Sequence, residues 1–277
     1  MLSKKKYSRY EDWDEYFGFE NKENKENKED KIDFTKVVVD NTWYNIINGL
    51  ISDPRMNLIK REIIKTINLS ENYTNIFPFP KLVFNAFLQT PLDIIKVVFI
   101  GQDPYFNYEE YKNSDSIRLC PQAHGLSFSV PIDCAIPPSL HNIFKNLLKF
   151  KHIKSYPKHG NLTFWALQGC LMLNSSLTVV LNKANCHASY WRWFTDNIIK
   201  YLSDNCENLI FVLWGGDAYN KIAFIDSDKH KVIVSSHPSG YSADKPFRCF
   251  PSFNSFDHFG EINKYLIKYN KIPILWE

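Results

Sequence analysis

Several familiar signatures are missing from this 277-residue sequence. No run of about eighteen apolar residues occurs, so no membrane-spanning helix and no membrane partner are expected. The start, MLSKKKYSRYEDWDEYF, has basic residues but no apolar h-region, which argues against a secretory signal. No CxxC pair joins the six cysteines, Cys120, Cys134, Cys170, Cys186, Cys206 and Cys249. Their scatter argues against a zinc ribbon and against a disulfide scaffold. Reduced thiols in an intracellular compartment, cytoplasm or nucleus, are the expectation. Neither a GxxxxGKS/T loop nor a GxGxxG fingerprint occurs, so nucleotide-cofactor folds lose support. An excess of one charge is lacking too. With 33 basic and 30 acidic residues, the net of +3 excludes a histone-like polycation.

What is present is ordinary for a globular protein: 44% hydrophobic and 23% charged residues. Aromatics reach 16%, and core filling accounts for most of them. Residues 21–30 read NKENKENKED, a polar repeat that cannot bury a core. Residues 1–34 are therefore read as a polar tail, solvated or a charged helix, and residues 35–277 as one domain. Up to Phe34 there are eight basic and ten acidic residues; the remainder carries 25 and 20, a net of +5. A basic body mildly favours an anionic partner without identifying it.

Asn41–Leu69 has helical spacing, with Pro54 expected to end or kink it. Four short apolar runs read as buried strands: Ile94–Ile100, Cys170–Leu173, Leu209–Trp214 and Lys231–Ser235. Helical patterns lie between them, at Ser139–Leu148, Trp191–Leu202 and Ala218–Phe224. This alternation predicts an α/β domain with a central, mostly parallel four-stranded sheet and helices on both faces. Ligands bind such sheets at the carboxyl ends of the strands, so chemistry is sought just after each one.

After the first run comes GQDPY, Gly101–Tyr105. Gly101 and Pro104 force a sharp turn that presents Asp103, although an Asp here equally suits a turn or a helix cap. Asn174 follows the second run. It either caps a turn or offers a ligand one acceptor and two donors in one plane. Gly215-Gly216 follows the third; two glycines admit a phosphate closely, though a tight turn needs them as well. His237 follows the fourth, entering the turn HPSGYSA. HGLSFSV adds Phe128, and Ser139 after Pro137-Pro138 stands where it can N-cap the next helix. A carboxylate, an amide, an imidazole and aromatics at strand ends suit a hydrolase acting on a small planar group.

These segments resemble the family 1 uracil-DNA glycosylases. GQDPY resembles that family's water-activating loop and HGLSFSV its uracil-stacking segment. PPSLHNIF resembles its proline-rich DNA-compressing loop and LMLN its uracil-recognition strand. LWGG resembles its glycine–serine loop, and HPSGYSA its minor-groove intercalation loop. The resemblance runs from about Phe34 to Trp276. It implies hydrolysis of the bond between uracil and deoxyribose after base flipping, in base excision repair, with no metal or organic cofactor.

The resemblance also implies roles. Asp103 would orient the attacking water and stabilise the positive sugar; His237 would donate to uracil O2. The Gln102 backbone would help hold the oxyanion. Asn174 would pair with O4 and N3–H, Tyr105 would exclude the thymine methyl, and Phe128 would stack on the base. Ser139, Gly215, Gly216, Ser239 and Ser242 would grip DNA phosphates, with Tyr241 as the wedge. The implied partner is uracil-containing DNA, single- or double-stranded, met by a monomer; replication or repair proteins are further expected partners.

Four departures from the family pattern stand out. Phe106 replaces the usual His after GQDPY. Gly240-Tyr241 replaces Pro-Leu, and Gly216 replaces a serine. Asn107–Pro121 is longer than usual and is read as an inserted surface loop. Two other readings compete. One is a non-enzymatic DNA-binding or polymerase accessory protein on the same fold. The other is a Ser–His–Asp hydrolase using Ser236 or Ser239, disfavoured because no GxSxG elbow exists.

Overall fold

The computed structural model describes residues 6–7, 13–17, 32–69, 75–113 and 116–277. The repeat at 21–30 lies outside them. The strands are β1 (Lys6–Tyr7), β2 (Ile76–Phe77), β3 (Val97–Gly101), β4 (Tyr108–Asn113), β5 (Ser116–Pro121), β6 (Cys170–Asn174), β7 (Val179–Val180), β8 (Ile210–Trp214) and β9 (Lys231–Ser235). Four of them form the central sheet in the order β6-β3-β8-β9, every pairing parallel. All residues of β3, β6 and β8 are buried. That is why these runs read as continuously apolar rather than alternating.

Helices flank this sheet. In Ala188–Asn205 the buried residues Trp191, Phe194, Thr195, Ile198, Ile199 and Leu202 recur at three- and four-residue spacing. They form the single apolar stripe that a helix needs to pack on a sheet. Burying each large apolar side chain contributes roughly 1.5–3 kcal/mol. Pro138–Lys149 and His258–Lys268 bury similar stripes through Leu140, Ile143, Phe144 and Leu147, and through Phe259, Ile262 and Leu266.

Several elements differ from expectation for local reasons. The first central strand begins at Val97, not Ile94. Pro91 opens a 3-10 turn over Leu92–Ile94, and sheet pairing starts only opposite Cys170. The helical stretch after Asn41 is split into Tyr44–Ile51 and Met56–Leu69. Between them the Asp53 carboxylate accepts from Arg55 N and pairs with its guanidinium around Pro54.

The stretch 107–121 is no loop. Tyr108–Asn113 and Ser116–Pro121 pair as an antiparallel hairpin, and Lys6–Tyr7 adds to β5 in parallel. Glu109 Oε1 accepts from Ala135 N at 2.8 Å and from Gln122 Nε2 at 3.2 Å, anchoring the hairpin to the segment before the Pro138 helix. Part of the stretch read as tail also packs into the core. Trp13 is fully buried, donates from Nε1 to Pro78 O at 3.2 Å and meets Phe34 edge to face.

Candidate active site

The parallel register brings the strand ends level: Gly101 pairs with Asn174, and Trp214 with Ser235. At this edge lies a cavity of about 180 Å³. Gln102, Asp103, Tyr105, Phe128, Asn174 and His237 all line it, as do Phe106 and Ser139. Sequence positions spread over more than a hundred residues therefore share one small chamber.

Asp103 leaves β3 on a two-residue step. Its Oδ2 accepts from the backbone N of Asn185 at 2.6 Å. This bond spans the fold, so the carboxylate is not a local turn or helix cap. Burial raises its pKa above the ordinary 3.8; the Asn185 N–H opposes that rise and the negative charge of Asp217 adds to it. A carboxyl moved upward in this way takes up a proton more readily than a free one.

Asn174 ends β6 and is buried. Its amide lies across Gly101. A Cβ at Gly101 would come within 2.2 Å of Asn174 Oδ1 and 2.8 Å of Ser127 Cβ. Gly101 is thus required for space. It is a strand residue outside the left-handed region, not the turn-former its position suggested.

His237 Nδ1 accepts from the Ser239 backbone N at 3.0 Å. A nitrogen that accepts cannot also carry a proton, so the neutral ring bears its hydrogen on Nε2. Burial pushes the pKa down to about 4, against a weaker upward pull from Asp217. At neutral pH the ring is an uncharged donor. Beneath it, Gly215 has φ +86°, and a Cβ there would lie 2.8 Å from His237 Cβ.

Phe128 adopts φ +62°, a costly conformation for an aromatic L-residue. Its ring meets Trp214 at 5.3 Å and 65°, and Tyr105 Oη donates to its carbonyl at 3.2 Å. Tyr105 is pushed above the ordinary phenol pKa by burial alone, so it stays a neutral wall. Phe106 packs on the cluster of Phe77, Phe79, Ala123 and Val179. The ring that replaces the family's His is therefore held by apolar contact.

Ser139 is not the N-cap. Pro137 occupies that position, Pro138 opens the helix, and Ser139 sits in its first turn. The remaining phosphate-site residues lie outside the cavity lining. Gly216 opens the short helix Gly216–Tyr219. Ser239 and Ser242 belong to one turn, with Ser242 N donating to Ser239 O at 3.0 Å. Tyr241 projects from it, 89% exposed.

No Ser–His–Asp relay forms. Ser236 Oγ accepts from Phe253 N at 2.8 Å, Ser239 meets His237 only through its backbone, and Asp103 bonds to Asn185. Among the described residues, no three His, Cys, Asp or Glu side chains cluster as metal ligands, and no helix is long and apolar enough to cross a membrane.

Residues 89–267 match the family model described as the uracil DNA glycosylase superfamily. The chain belongs to that family. Uracil-DNA glycosylases are hydrolases of N-glycosyl bonds that act on uracil in DNA. A "Probable uracil-DNA glycosylase" of Acanthamoeba polyphaga mimivirus is 45% identical over 218 residues, covering 75% of this chain and 57% of that protein. The uracil-DNA glycosylase of Campylobacter hominis is 39% identical over 247 residues, covering 89% of this chain and 95% of that protein. The crystal structure of mimivirus uracil-DNA glycosylase superposes with a TM-score of 0.83 at 37% identity, covering 97% of this chain and 94% of that one.

Two features of this glycosylase site escaped the sequence. Asn185 positions Asp103 through its backbone N–H, which every residue but proline possesses, so residue identity carries no signal. Asp217 directly follows the glycine pair, yet its field on Asp103 and His237 depends on how β8 and β9 lie together.

Proposed function

We propose that this chain excises uracil from DNA by hydrolysing the bond between uracil N1 and deoxyribose C1′, leaving an abasic site for base excision repair. The observation that carries the reading is the shared chamber: a carboxylate, a neutral imidazole with its proton on Nε2 and a buried amide around one cavity.

Uracil must first leave the duplex stack, at a cost of a few kcal/mol. Phe128 stacks on the extruded ring, a contact worth roughly 1–3 kcal/mol. Asn174 pairs with O4 and N3–H, a donor–acceptor pattern that cytosine reverses. Tyr105 closes the space beside C5. A rigid wall suits this task, because an apolar pocket discriminates a methylene by only about 1–3 kcal/mol.

As the C1′–N1 bond lengthens, its electron pair moves onto the base and negative charge collects at O2. His237 Nε2–H and the Gln102 backbone donate there; losing one such donor typically costs about 10²–10³ in rate. Asp103 faces the sugar that becomes positive and orients water toward C1′. The water oxygen bonds to C1′, and its proton leaves through the carboxylate. In this reading Ser139, Gly215, Gly216, Ser239 and Ser242 contact DNA phosphates, and Tyr241 enters the space the base vacates.

The test is a uracil-containing oligonucleotide treated with protein and then alkali. Cleavage at the uracil is expected, with Asp103→Asn lowering turnover strongly while DNA binding persists. Binding without abasic sites at ample protein would favour a non-enzymatic clamp.

A further inference from the structure

Neither residue of the turn after β8 carries a side chain able to hold a phosphate, since Gly215 and Gly216 are both glycine. A cation lies one aromatic ring away from it. Arg248 occupies a tight turn closed by Phe247 N to Phe250 O at 3.1 Å and Phe250 N to Phe247 O at 2.9 Å. Its φ is +56°, in the left-handed region where glycine or asparagine would be the unstrained choice. Strained positions held by an otherwise unsuited residue concentrate at ligand clamps.

The guanidinium lies 4.6 Å from the Tyr219 ring centroid and 5.4 Å from that of Phe247. Both residues are linked to the glycine turn, Tyr219 through its backbone and Phe247 through its ring. Tyr219 N donates to Gly215 O at 2.9 Å, and a Cβ at Gly216 would stand 3.9 Å from the Phe247 ring. Arg248 is exposed, and among the described residues it makes no ion pair with a carboxylate. A guanidinium stacked on aromatic faces has lost much of its freedom yet keeps its five N–H donors for an external anion. The polyanion that the glycosylase reading brings to this edge is the DNA backbone.

We propose that Arg248 binds a backbone phosphate near the extruded uridine, on the Gly215-Gly216 side of the cavity. It supplies there the side-chain contact that the two glycines lack. The inference rests on the glycosylase reading, and the experiment separates the two. Wild-type protein is first assayed for uracil release; a failure there sinks the reading itself.

Binding to a labelled uracil-containing duplex is then followed against NaCl concentration, in the Asp103→Asn background with and without Arg248→Gln. Losing one phosphate contact is expected to reduce the slope of log affinity on log salt by about 0.9. The loss should be equal on uracil-free duplex, because a phosphate contact reads no base. With Asp103 intact, Arg248→Gln should raise KM, and Arg248→Lys, which keeps the charge, should restore the slope. Thermal unfolding establishes that each variant is folded. An unchanged salt slope, a defect confined to kcat, or an Arg248→Lys slope as low as that of Arg248→Gln overturns the proposal.

Discussion

His237 rests on Gly215: the Cβ that Gly215 lacks would lie 2.8 Å from the histidine's own Cβ. The end of β8 therefore serves as the floor on which the imidazole of β9 is aimed. Gly215 also holds φ +86°, so an L-residue there meets two penalties at once. Gly216, one residue on, has neither constraint.

Gly215→Ala should accordingly be far worse than Gly216→Ala. The Gly215 backbone, at φ +86° and ψ 178°, is open in practice to glycine alone, and a side chain there costs about 1–3 kcal/mol. On the proposed mechanism, displacing the imidazole removes an oxyanion donor, so turnover should fall by about 10² or more. Steady-state kinetics and urea unfolding of the two variants check this. Equal turnover in both would refute the floor relationship.

Acid should unfold the protein earlier than carboxylate titration alone would. His124, His187, His237 and His258 are each driven from 6.5 to about 4, in every case chiefly by burial. Between pH 6.5 and 4 the unfolded chain takes up protons at these sites and the native chain does not. Stability is thus full above 6.5 and declines as pH falls toward 4, by about 1.4 kcal/mol per pH unit for each histidine so displaced. Urea unfolding across this range is the measurement, and a flat profile would contradict it. On the proposed mechanism turnover has its own acid limb, set by Asp103, whose pKa is raised above 3.8. Asp217→Asn removes a negative neighbour, so that limb should move to lower pH; a shift to higher pH would reverse the assigned cause.

Phe106→His should not restore a faster enzyme. The Phe106 ring packs against Phe77, Phe79, Ala123 and Val179, and Asp103 is already oriented by Asn185. Phe106 is half-buried and also lines the cavity, so an imidazole there would lose the phenyl ring's apolar contact on one side while its other side meets the cavity. Lower stability with unchanged or reduced single-turnover rate is expected. A clear rate increase would show that the water needs a second polar contact.

The central sheet of this protein, and the strand ends where its candidate site lies, were legible in the chain. Runs such as VVFIG, CLMLN and IFVLW read as continuously apolar because their strands are buried on both faces, and their alternation with helical patterns calls for a parallel sheet. Chemistry at the carboxyl ends follows from the topology, so Asp103, Asn174 and His237 could be named from their places after strands. Tertiary structure decided what such patterns do not encode. The hairpin Tyr108–Pro121 closes through backbone pairing that its polar composition conceals, and Trp13 finds the core across a segment of unrelated composition. The proton on His237 Nε2 and the hold on Asp103 both come from main-chain N–H groups, those of Ser239 and Asn185. Almost every residue owns such a donor, and only the folded path of the backbone determines which one meets which side chain.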